Sequence, residues 1–168
     1  MTPTDTDLWS FSLRVYRHAE VERSCLDMQA RWNVDVNLVL YCCWFACSGR
    51  GVTDAEHVQH LIDATRDWQL TVVQPLRALR HRIKKLVAAH NGGRRWYEQL
   101  LLTELQAERL EQRMLESYTT TKVRCKGDVA DERLANARGN LLQYLHELGV
   151  TDTDVAASVD RLMLAMRC

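Results

Sequence analysis

Val36-Asn37-Leu38-Val39-Leu40-Tyr41-Cys42-Cys43-Trp44-Phe45-Ala46-Cys47, followed by Ser48-Gly49, is the stretch on which the fold turns. From Leu38 to Cys47 it holds no charged, amide or small hydroxyl side chain. A helix that is apolar on every side must be buried on every side, so this stretch predicts a central core helix over about 35–48. At a rise of ~1.5 Å per residue the apolar run reaches only ~15 Å, half of a ~30 Å hydrocarbon core. No membrane span is expected.

Working outward, 168 residues with 46% apolar and 26% charged side chains fit one soluble domain covering 1–168. Twenty-two basic residues balance 22 acidic ones, which argues against a globally steered nucleic-acid binder. The N-terminus lacks a basic segment followed by an apolar one, so a cytoplasmic location is expected, with residues 1–6 a flexible lead. The six cysteines (25, 42, 43, 47, 125, 168) do not have the spacing of a disulfide scaffold. Three fall inside the apolar run and pack as small hydrophobes, so reduced thiols are expected.

Helical spacing recurs on both sides of the central run. Asp5 or Thr6 caps a first helix carrying Leu8, Phe11, Ser12 and Val15, and a second runs from Ala19 to Arg31 with Val21, Cys25 and Met28 on one face. Asn33 or Asp35 caps the central helix, and Gly49 ends it. Thr53-Asp54-Ala55-Glu56 matches a capping box. Two seams, Val72, Leu76, Leu79, Ile83, Leu86 and Trp96, Leu100, Thr103, Ala107, Leu110, Met114, flank the turn signal Asn91-Gly92-Gly93. They predict a long antiparallel hairpin over about 70–117, its first strand of helix basic and its second rich in glutamate. Residues 118–128 read as a polar connection, followed by helices marked by Leu134, Ala137, Leu141, Leu145 and by Val155, Val159, Leu162, Met166. The expected fold is all-α, a bundle of about seven helices around a buried central one.

Chemistry is sparser. No metal set, phosphate loop or catalytic constellation appears, and no cofactor is called for: Cys43 and Cys47 share a helix face without completing a ligand set, and His57 and His60 lack a third partner. Cys125, among Lys122, Arg124 and Lys126, has the setting that favours a thiolate. Two places draw more interest. At the entry to the central helix Asn37 is a buried amide in need of partners, which Gln29, Arg31 and Trp32 are placed to supply, with Asp35 pairing Arg31. Trp9 and Trp44 complete this candidate pocket. The second place is the basic helix, where Arg77, Arg80, His81, Lys84 and Lys85 form a candidate anion or partner surface unless the glutamates of the following helix neutralise them.

The pattern Leu8-Trp9-x-Phe11 with Tyr16, then Val21, Cys25-Leu26-x-x-Gln29, then Val36-Asn37-Leu38 leading into Cys43-Trp44 resembles a family of small all-helical bacterial proteins described as a domain of unknown function. The resemblance is clearest over residues 8–49. It implies a bacterial cytoplasmic protein and singles out Trp9, Gln29, Asn37 and Trp44 as the first residues to probe.

Three functional readings follow. The first is a non-catalytic interaction or regulatory module that binds a protein partner, or a second copy of itself through exposed seams. The second is a small-molecule or lipid-binding protein, or an enzyme, with its pocket at the entry to the central helix. The third is anion or nucleic-acid binding through helix 77–85.

Overall fold

The computed structural model describes residues 7–87, 90, 92–119 and 130–166. They form α1 (Leu8–Val15), α2 (Ala19–Trp32), α3 (Val36–Cys47), α4 (Ala55–Trp68), a π turn (Gln69–Val73), α5 (Gln74–Val87), α6 (Gly93–Ser117), α7 (Ala130–Glu147) and α8 (Val155–Met166). Because α4, the π turn and α5 run on without a break, the eight segments make seven rods, and no strand occurs among the described residues. The all-α bundle is therefore the observed fold.

The apolar stretch became the centre for the reason its composition gives. Of the 12 residues of α3, 11 are buried, leaving the helix no solvent face. Its neighbours supply matching apolar stripes: Leu8, Phe11 and Val15 from α1, Val21, Cys25 and Met28 from α2, Ala137, Leu141 and Leu145 from α7, and Val159, Leu162 and Met166 from α8. Burying one large aliphatic or aromatic side chain stabilises the fold by about 1.5–3 kcal/mol, so this single cluster is the main source of stability. Asp35 caps α3, its Oδ1 accepting the Asn37 backbone N–H at 2.8 Å. At the other end Gly49 takes φ +81°, a left-handed conformation that few side chains tolerate.

Several local expectations need correction. The first helix is capped by Asp7, while Asp5 and Thr6 lie outside the described residues, as do Cys125 and most of the 118–128 connection. The capping box at Thr53 does not form: Asp54 is the cap, accepting from His57 N at 2.8 Å. Thr53 is instead turned toward Asn140, whose Oδ1 accepts its N–H at 2.7 Å. Reduced thiols are found at Cys25, Cys42 and Cys43, but Cys47 is disulfide-bonded.

The hairpin is present, and its seams match those expected only in part, at Ile83 and Ala107. Pro75 stands in the first turn of α5, without an N–H and with a ring that crowds the carbonyl four residues back. The chain responds by widening one turn, the Gln74 N–H reaching back five residues to Gln69 O. This rotates α5 so that Ile83 is its one buried residue and Leu79 and Leu86 stay exposed. On α6 the inward face is Glu104, Ala107, Glu111, Gln112 and Leu115, rotated away from Leu110, which is exposed. A Cβ at Gly93 would sit 2.2 Å from the Val87 carbonyl oxygen, so glycine permits the close start of the returning helix.

Candidate functional site

Glu111 is fully buried, and its surroundings define the site. Its Oε2 accepts from Asn37 Nδ2 at 2.6 Å and from Gln69 Nε2 at 2.7 Å. A carboxylate cannot donate, so the Asn37 amide nitrogen must face it and the Asn37 oxygen must face away. That oxygen accepts from Gln112 Nε2 at 2.8 Å, and the same Nε2 donates to Ser12 Oγ at 3.1 Å. The orientation of Gln112 is thereby fixed too, and its carbonyl Oε1 has no partner. The π turn contributes directly, because it is what carries Gln69 onto Glu111.

Two more acceptors in this cluster lack a donor: Asp35 Oδ2 and Glu111 Oε1. The two carboxyls lie within hydrogen-bonding reach of each other. Two ionised carboxylates cannot share a dry contact, so one proton must sit between them. Burial pushes the Glu111 carboxyl up first, and the neighbouring Asp35 charge adds to that. Asp35 is raised as well, by burial, with the hydrogen bonds from Glu111 and the Asn37 backbone and the Arg77 charge opposing. Its backbone N–H is held by the Tyr144 hydroxyl at 3.0 Å.

Around this floor the hairpin adds an ion network. Arg77 donates to Glu104 at 3.2 Å and Glu108 at 2.5 Å, and Arg80 grips both oxygens of Glu104. Burial disfavours an ionised Glu104, but the hydrogen bonds and charges of Arg80 and Arg77 outweigh it and hold the carboxyl below its usual range.

Two cavities open beside Asp35. One of 470 Å³ lies between α1, α2, α3, α5 and α6, and one of 620 Å³ lies toward α4 and Tyr144. Gln29, Asp35, Arg77 and His81 line both. The first, with Gln112 and Asn37 on its floor and Trp9, Leu13, Leu26 and Leu105 around it, falls in the size range of small-molecule sites.

The two sequence-derived candidate sites thus share one cavity in part. Trp9, Gln29, Asp35 and Asn37 line it together with Arg77, Arg80 and His81. Lys84 and Lys85 do not and are exposed. Arg31 and Trp32 point elsewhere: Arg31 pairs with Asp152 at 2.9 Å and Asp154 at 3.1 Å, and Trp32 Nε1 donates to Asp152 at 3.0 Å. The expected Asp35–Arg31 pair is absent because Arg31 has these two carboxylates within reach. Trp44 is core, with Arg50 stacked 4.3 Å from its ring. The partners expected for Asn37 are also replaced: they are Glu111 and Gln112, 74 and 75 residues away. Glu104, Glu111, Gln112 and Gln69 were missed. The one usable signal was the complementary charge of the two hairpin helices. His57 bonds Tyr41 OH at 2.9 Å and His60 meets Tyr118 edge-on, and no metal-binding group occurs among the described residues.

A family model described as "Protein of unknown function (DUF2390)" matches residues 7–115. The cavity's carboxylates and amides fall within that span, whereas Tyr144 lies beyond it. No curated protein and no solved structure matches the chain.

Proposed function

We propose that this chain, which belongs to the DUF2390 family, binds a small organic ligand in the 470 Å³ cavity at the entry to α3. One observation carries the reading: the cavity sets buried Asn37 and Gln112 against apolar walls from Leu13, Leu26, Leu40 and Leu105. A cavity of this size that joins apolar walls to a few convergent polar groups has the usual form of a small-molecule site. Native mass spectrometry of the chain purified from its own host tests this. The expected result is a bound mass in the wild type that is lost when Leu40→Trp fills the cavity. A bare chain, with no melting-temperature shift from any lipid or metabolite class, would overturn it.

The protein-partner reading has a separate support. Leu79, Leu86, Trp96, Leu101, Leu102 and Leu110 are exposed along the hairpin, which adds nothing to the main core before Leu115. Exposed apolar side chains of this kind suit a partner helix or a second copy. Leu86→Asp with Leu102→Asp should abolish capture or self-association; unchanged light scattering and partner recovery would refute it. The anion-binding reading keeps less support, since Arg77 and Arg80 are engaged by Glu104 and Glu108. The family resemblance favours a bacterial cytoplasmic setting, and no helix among the described residues is long and apolar enough to cross a membrane.

A further inference from the structure

We infer that the free end of the α5–α6 hairpin docks on an anionic membrane surface, with Arg82, Lys84, Lys85 and Arg95 meeting phosphate headgroups and Leu86 and Trp96 entering the interfacial layer. None of these six residues lines the 470 Å³ cavity, so the surface is separate from the ligand site.

Charge is segregated along the chain. From Trp68 to Tyr97 there are seven basic residues and no acidic one, leaving 15 basic against 22 acidic for the rest. Arg77 and Arg80 are engaged by Glu104 and Glu108. The other five stand near the far end of the hairpin, all exposed. Arg94 meets Glu98 at 2.9 Å on the surface, and no carboxylate among the described residues pairs with Arg82, Lys84, Lys85 or Arg95. Folding accounts for only part of this. Lys84 and Lys85 lie in the last turn of α5, where cations offset the helix dipole. Arg94 and Arg95 lie in the first turn of α6, the positive end, where cations are unfavourable and no acid is present.

The end that carries these cations projects from the bundle. α6 buries nothing before Glu104, and Ile83 is the one buried residue of α5. The first turns of α6 therefore run for about 16 Å beside α5 before reaching the interior, at ~1.5 Å per residue. On this arm Leu86 is 66% and Trp96 48% exposed, although such side chains gain most from burial. Arg82 shares the face of Leu79 and Leu86, at spacings of three and four. Lys84 shares the face of Arg80 and His81, which line the cavity, so the cations lie on more than one side of the arm.

A membrane fits this arrangement better than two other anionic partners. An acidic partner helix would cover one face and leave the cations on the other side unmatched. A nucleic-acid backbone matches cations but gives an exposed leucine nothing to enter. An anionic bilayer meets every side of a projecting end at once, its headgroups taking the cations and its interfacial layer taking tryptophan and leucine. Such a surface repels the acidic remainder of the chain, which holds the molecule end-on.

Co-sedimentation of the full chain with vesicles tests this, comparing pure phosphatidylcholine with a mixture holding about 30% phosphatidylglycerol. The chain should partition at least about tenfold more strongly onto the anionic vesicles, and lose that advantage as salt rises from about 0.1 M to about 0.5 M. Each cation near the surface contributes about fivefold, so Lys84→Gln with Lys85→Gln should weaken partitioning about 25-fold. Arg138→Gln, at an exposed cation of α7, should change it by less than about twofold. Leu86→Ala should weaken it about tenfold, and the blue shift of tryptophan emission on anionic vesicles should be lost in Trp96→Phe. All these positions are exposed, so melting temperatures should shift little. Equal partitioning onto neutral vesicles, or none onto anionic ones, would overturn the inference, as would a partition indifferent to the Lys84 and Lys85 changes. Tighter binding to duplex DNA at equal phosphate concentration would assign the surface to nucleic acid instead. Self-association that Leu86→Ala abolishes would assign it to a second copy, and either result overturns membrane docking.

Discussion

Replacing Glu111 by glutamine should alter how stability depends on pH more than it alters stability itself. In the wild type Glu111 Oε2 takes two donors, Asn37 Nδ2 and Gln69 Nε2, and its other oxygen meets Asp35 across a proton. A glutamine amide reproduces this at every pH, its oxygen accepting the same two donors and its nitrogen donating to Asp35. At pH 5.5 the two proteins should therefore differ by less than about 1 kcal/mol. The wild-type carboxyl is pushed up to about 9, from an ordinary value of 4.5. Below 4.5 folded and unfolded chains both hold the proton; between 4.5 and about 9 the folded chain alone holds it. The folded state thus binds more protons, so wild-type stability falls as pH rises through this window, by up to about 1.4 kcal/mol per pH unit. The variant lacks this group. From pH 5.5 to 8.5 it should gain up to about 4 kcal/mol relative to wild type. Urea unfolding at pH 5.5, 7.0 and 8.5, with unchanged m values, measures the difference directly. Titrating groups outside the Asp35–Glu111 pair act on both proteins and cancel. Parallel stability curves within about 0.5 kcal/mol would refute a shared proton. Glu111→Ala gives the contrast, since it strands two buried amide donors at about 1–3 kcal/mol each at every pH.

Three further outcomes follow from other contacts. Asn140 fills all four of its hydrogen-bonding positions, accepting from Thr53 N and Oγ1 and donating to Cys42 O and Gly51 O. Asn140→Ala leaves a backbone N–H and two carbonyls without those partners and should cost about 2–4 kcal/mol in urea unfolding. A double-mutant cycle on Arg80 and Glu104, whose side chains are 19% and 5% exposed, should give a coupling of about 1.5–3 kcal/mol. The same cycle on Arg138 and Asp160, at 41% and 56%, should stay below about 1 kcal/mol, and equal values would contradict the burial argument. Burial pushes Cys25 and Cys42 up to about 12 and Cys43 well above its ordinary value. Native protein at pH 8 should therefore leave these three thiols unalkylated by iodoacetamide, while unfolded protein alkylates all three, as peptide mass mapping would read.

What the sequence disclosed depends on whether a residue's environment is set locally. The burial of α3 was legible because an apolar run with no polar face has one solution. The Asp35 cap was legible because capping involves residues two or three apart. Asn37 was half legible: a buried amide announces that it needs partners, but its partners lie 74 and 75 residues away and a local reading looked to the neighbouring helix end. Glu104 and Glu111 were not legible from α6 alone. Apolar spacing there favours a face that includes Leu110, and only the amides of α3 and the π turn, with Arg77 and Arg80, make it cheaper to bury the glutamates instead.

The buried network has one property that packing does not account for. A polar cluster kept for structural specificity is stable when every member is satisfied, and an apolar replacement serves as well when it is not. The Asn140 cluster meets that condition, with no atom left over. The Glu111 cluster does not. Among the described residues four buried side-chain atoms lack a partner, and three belong to it, on Asp35, Glu111 and Gln112. All three are acceptors, and Asp35 and Gln112 border a cavity. One proton can reconcile Asp35 with Glu111, but nothing among the described residues reaches Gln112 Oε1. If the cluster existed only to lock α1, α3 and α6 together, Gln112→Leu would remove one orphan atom but strand Asn37 Oδ1 and lose two hydrogen bonds, at about 1–3 kcal/mol. The unused acceptor would then have no purpose in the free protein. The adjoining cavity, rimmed by half-exposed leucines, is where a ligand would bear on this cluster.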